Sequence, residues 1–61
     1  MLIALNEVRP NGDKRRVLVN SNSINYMINK EDGYGSVVYF GMGIIYVVET
    51  PEQITKLIEK L

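Results

Sequence analysis

Four of the seven cationic residues, Arg9, Lys14, Arg15 and Arg16, fall within a stretch of eight residues. A cluster of that kind can hold phosphate through charge-assisted contacts, and Tyr26, Tyr34 or Tyr39 on a sheet could stack bases as small single-strand binders do. The simpler reading is that Lys14-Arg15-Arg16 opens an edge strand, where positive charge discourages edge-to-edge aggregation. Glu7 and Asp13 lie close in sequence and offset the field. Other chemistry is thinly represented. The chain has no His and no Cys, which removes disulfides, thiolate nucleophiles, sulfur or imidazole zinc sites and every triad built on those residues. The carboxylates Glu7, Asp13, Glu31, Asp32, Glu49, Glu52 and Glu59 are scattered, and so short a chain offers little room for a cleft flanked by two of them. Gly35-Ser36 leads into a strand and lacks the Lys-Ser or Lys-Thr end of a phosphate loop, and Gly41-Met42-Gly43 lacks the dinucleotide pattern. The expectation is a protein that is not an enzyme, with no cofactor and no metal.

Two apolar side chains are candidate partner contacts instead. Tyr34 stands between glycines in Asp32-Gly33-Tyr34-Gly35, and Met42 stands at a glycine-flanked hairpin tip. Each also has a plain structural alternative: the Tyr34 ring can fold back over the sheet, and Met42 can be an ordinary exposed tip.

These residues must be placed by strands and one helix. Residues 2–8 favour a first strand, ended by Pro10-Asn11-Gly12-Asp13, and Lys14 to Asn20 returns with Val17 and Val19 on one face and Arg16 and Leu18 on the other. After the polar break Ser21-Asn22-Ser23, a third strand is expected in which Ile24, Tyr26 and Ile28 alternate with Asn25, Met27 and Asn29. Residues 31–36 form the clearest loop. Val37 to Phe40 and Ile44 to Val48 make a closing hairpin. Thr50-Pro51-Glu52-Gln53 carries a cap, a first-turn proline and a capping-box glutamine. Ile54, Leu57, Ile58 and Leu61 then form one apolar stripe, and Glu52 with Lys56 has the spacing of a helical ion pair. The predicted fold is a single mostly β domain over residues 1–61 with one C-terminal helix: a small five-stranded antiparallel barrel or curled sheet of SH3-like size.

The last hairpin is apolar on both sides. Val38, Phe40, Ile45 and Val47 can line one face, but Val37, Tyr39, Ile44, Tyr46 and Val48 are nearly as apolar on the other. One short helix covers one face at most, and a half-wet antiparallel sheet would alternate cleanly. Full burial of a Val, Ile or Phe is worth about 1.5–3 kcal/mol, and a domain this small buries only about 60% of its unfolded surface. Val37, Tyr39, Ile44, Tyr46 and Val48 are therefore the expected interface between copies of the chain. The alternative is a tight monomeric barrel with that pair at its centre.

The blocks Val17-Leu18-Val19-Asn20-Ser21-Asn22-Ser23-Ile24-Asn25-Tyr26 and Ile44-Ile45-Tyr46-Val47-Val48-Glu49-Thr50-Pro51-Glu52-Gln53-Ile54 resemble the small flagellar, swarming-motility FlbD/SwrD-like family. The likeness spans residues 17–58, and Gly41-Met42-Gly43 departs from the Asn-Gly tip of that group, as does the more basic arm from Arg9 to Arg16. It implies a small non-enzymatic accessory protein acting through protein contacts, and carries over no catalytic residue. Similar small chains also occur in phage and mobile-element genomes. Seven cations balance seven anions, so the whole chain supplies no steering field for nucleic acid or acidic lipid. The apolar start, Met1 to Leu5, lacks a basic flank and meets Asn6 and Glu7 too soon for a signal peptide, and no run reaches membrane-spanning length. The expected setting is cytoplasmic. The expected mode is self-association plus binding of a protein partner; the alternatives are a nucleic-acid-binding barrel using Arg9, Lys14, Arg15 and Arg16, or an oligomer holding a small molecule between tyrosines.

Overall fold

The computed structural model describes residues 1–61. Five strands run β1 (Leu2–Val8), β2 (Lys14–Asn20), β3 (Ile24–Asn29), β4 (Ser36–Phe40) and β5 (Gly43–Val47), followed by α1 (Pro51–Glu59). All pairings are antiparallel, and the strands lie in the order β2-β1-β5-β4-β3. The two edge strands are consecutive in sequence, joined only by a single 3-10 turn over Ser21–Ser23. So short a link between opposite edges requires the sheet to curl. The β2 and β3 edges do not pair, so of the two expected forms the chain adopts the curled sheet and not the closed barrel.

The concave side holds the core: Ile3, Leu5, Val19, Val38, Val47 and Ile54 are buried, with Val17, Ile24, Met27, Phe40, Ile45, Leu57 and Ile58 packed around them. β1 and β5 share just one register pair, Glu7 with Val47, and then separate. Helix α1 fills the opening with Ile54. Thr50 caps it, accepting from the Gln53 backbone at 3.2 Å while the Gln53 side chain accepts from the Thr50 backbone at 2.9 Å, and Pro51 occupies the first turn. The helix stops before Leu61, which is exposed, so the covering stripe is Ile54, Leu57 and Ile58 only. The expected Glu52–Lys56 pair does not form; the ion pairs are Arg15–Glu7 and Lys30–Asp32.

Strand β3 departs from simple alternation. Its register with β4 shifts between Ile24 and Tyr26, so Asn25 is an extra residue of a bulge. Ile24 and Met27 then pack on the core, whereas Tyr26 and Ile28, expected on the side of Ile24, are exposed. A bulge advances the chain without a partner and thereby flips the facing of everything after it.

Candidate interaction face

The convex side of β3, β4 and β5 carries two apolar rows set by strand register. Tyr26, Tyr39 and Ile44 are opposed across the three strands in one row, and Ile28, Val37 and Tyr46 in the next. The rings of Tyr26 and Tyr39 stack with centroids 4.3 Å apart and planes inclined by 14°. Stacking of this kind is worth about 0.5–1.5 kcal/mol beyond area burial, and it fixes two large side chains as one rigid plate. Tyr26, Ile28, Ile44 and Tyr46 are all exposed, with Ile44 and Tyr46 each retaining 45% of their surface. An open hollow of about 500 Å³ lies at the end of the second row, floored by Val37, Tyr39 and Tyr46 and rimmed by Lys30, Glu31 and Asp32. An apolar centre with a charged rim is the arrangement of a protein contact surface.

Of the residues expected at an interface between copies, Tyr39, Ile44 and Tyr46 stand together on this face. Val37 belongs to the same row but is buried, at 8% exposure, and forms its floor. Val48 lies past the end of β5, where its backbone N–H donates to the Asn6 carbonyl at 2.9 Å, and it lines a different hollow. Tyr26 and Ile28 complete the face, and the sequence hid them because the bulge at Asn25 reverses their side.

Tyr34 is 80% exposed and Met42 fully so; the Tyr34 ring does not fold back over the sheet. They sit beyond opposite ends of β4, on the order of 17 Å apart for a five-residue strand, so they do not form one contact. Tyr34 instead shares a hollow of about 450 Å³ with Val8, Lys14, Lys30 and Val48. Its loop is well anchored. The Tyr34 backbone N–H donates to the Asp32 carboxylate at 2.9 Å, and this bond, with Lys30 at 3.5 Å, holds the Asp32 carboxyl below its ordinary range against a weaker opposing desolvation. Gly35, at φ 91°, presses its backbone against β5, where a Cβ would meet the Val47 carbonyl oxygen. Ser36, wholly buried, donates its hydroxyl to the Glu49 carbonyl at 2.6 Å.

The basic cluster is divided by the strand that carries it. Lys14, Arg15 and Arg16 stand opposite Val8, Glu7 and Asn6, and neighbours on a strand point to opposite faces. Arg15 therefore turns to the side of Glu7, 2.7 Å away, while Lys14 and Arg16 turn to the other side. Arg9 remains in the turn before β2. Arg16 meets Lys56 and Lys60 of α1 around another hollow of about 510 Å³. Glu49 lies there too, its carboxylate accepting from the Asn6 backbone at 3.0 Å and the Asn6 side chain at 2.8 Å. Glu49 thus does more than favour a helix start: it takes the place of a neighbouring strand for β1. Nothing local separates Gly35, pressed against β5, from Gly43, which precedes an equally apolar run with open space beside it, and nothing local marks Glu49.

No three acidic side chains come together to hold a metal ion, and no helix is long and apolar enough to cross a membrane. Neither a family model, a curated protein nor a solved structure matches this chain.

Proposed function

We propose that this chain is a non-enzymatic accessory protein that self-associates through the outer face of β3, β4 and β5 and works by binding another protein. The observation that carries the reading is the pair of register-aligned apolar rows, with four large exposed side chains and a stacked tyrosine pair on one small sheet. The occupant of this face is a second copy. The chain exposes 4431 Å², whereas a compact monomer of this mass exposes about 4,000 Å². The excess is surface that a small core leaves over, and only seven hydrophobic residues are buried. A stable pair buries about 800 Å² from each copy, so the charged rim must join the two rows in the contact. Tyr34, with Lys14 and Lys30 at its hollow, is the contact offered to the protein partner, one presenting an apolar and an acidic group.

Light scattering tests the self-association. The wild type should exceed the monomer mass, and Ile44→Lys or Tyr46→Lys should lower it while the fold is kept; a monomer before and after the change would end this reading.

A second reading is favoured by the convergence of Arg16, Lys56 and Lys60, which assembles three cations the sequence keeps apart. Phosphate contact there would make nucleic-acid binding weaken steeply with salt. Affinity unchanged in Arg16→Ala with Lys56→Ala would exclude it.

A further inference from the structure

The sheet has two open edges, and they are chemically unlike. At the β2 edge, Ser21 donates to the Met1 carbonyl at 2.8 Å, so antiparallel alternation turns the backbone groups of Val19, Val17 and Arg15 toward β1 and those of Lys14, Arg16 and Leu18 outward. Two of these three outward residues are cationic. At the β3 edge, Lys30 donates to the Gly35 carbonyl at 3.1 Å, so Ile28 and Tyr26 bond toward β4 while Met27 and Asn29 direct their N–H and C=O groups outward. Strand β3 contains no charge and no proline. Of the devices by which edge strands usually avoid pairing, it keeps only the bulge at Asn25, at its start.

We propose that β3 pairs antiparallel with β3 of a second copy across a two-fold axis at Met27, joining two curled sheets edge to edge. The segment Asn25-Tyr26-Met27-Ile28-Asn29 reads nearly the same in both directions: amide, large apolar, Met, large apolar, amide. Antiparallel pairing about Met27 therefore sets Tyr26 against Ile28 of the second copy and Asn25 against Asn29, with no charges opposed. The two Met27 residues exchange a pair of backbone bonds. Directly opposed residues point to the same face, so the row Ile44, Tyr39, Tyr26 runs on into Ile28, Val37 and Tyr46 of the second copy. The rows of the two molecules become one apolar band. A two-fold contact of this kind is closed, so it does not propagate into fibres. The opposite edge cannot substitute, since Lys14 and Arg16 would meet a strand with no acid to answer them.

This contact forms independently of packing on the outer face, and the two are separable by mass. Sedimentation equilibrium on the intact chain should show that Asn25→Asp with Asn29→Asp halves the wild-type mass, because each axis-related pair then opposes two carboxylates. Asn25→Lys with Asn29→Asp should restore it, because each pair becomes attractive. Asn25 and Asn29 are exposed, so circular dichroism should be unchanged in both variants. A monomeric wild type, an unchanged mass in the double aspartate variant, or failure of the Lys/Asp variant to recover would each overturn the proposal. Failure of Ile44→Lys to change the mass would instead count against the face contact alone.

Discussion

The two faces of the β4–β5 hairpin have nearly equal hydrophobicity and opposite fates. Val38 and Val47 on the concave side are wholly buried, whereas Ile44 and Tyr46 on the convex side keep nearly half of their surface exposed. What separates them is curvature and the helix. The short 3-10 link brings the β2 and β3 edges round, so the inner residues of all five strands converge, and Ile54 closes the opening. The outer residues diverge with the same curvature and meet nothing. Hydrophobicity therefore specifies that both faces want cover, and geometry decides which receives it within one chain.

Four substitutions and one titration would break or sharpen this contrast. Gly35→Ala should cost most, about 3 kcal/mol, since it combines a positive φ with a Cβ driven onto the Val47 carbonyl. Chemical denaturation measures it, and a cost under 1 kcal/mol would show that the loop is not seated against β5. Val38→Ala should cost about 2 kcal/mol from lost burial and the cavity left in the core. Thr50→Ala should cost about 1 kcal/mol by uncapping α1. In dilute, dissociated protein, Ile44→Ala should change stability by less than about 0.5 kcal/mol, as surface changes do. If Ile44→Ala equalled Val38→Ala under those conditions, the two faces would not differ as described.

The smallest effect concerns Asp32, at the rim of the outer hollow. Its folded-state pKa is depressed, first by the Tyr34 N–H and then by Lys30. The stability it contributes is therefore present above the ordinary aspartate pKa, about 3.9, and is lost as pH falls through the lower folded value. A carboxyl carbon NMR titration should place the Asp32 midpoint below that of Asp32 in the urea-unfolded chain. An equal or higher midpoint would mean the loop bond is absent in solution.

Much of the architecture was legible locally. The capping box, the turns at Gly12 and Gly33 with φ 89° and 80°, and the sharing of one face by Val17 and Val19, and by Val38 and Val47, all follow from residue type and period. The facing of Tyr26 and Ile28 was not, because a bulge is set by the fit between two strands and leaves no mark on either alone. The basic cluster misled for a related reason. Proximity in sequence along a strand means opposite faces, so Arg15 parts from Lys14 and Arg16, while Arg16 gains Lys56 and Lys60 from forty residues away.

By itself the sequence determined how many strands there are, where the helix starts and that the hairpin is apolar twice over, because propensity, capping and alternation act within a few residues. Only the tertiary structure decided which face turns inward, which edges stay open and which charges meet. Those depend on curvature and register, which exist only once distant strands are set side by side.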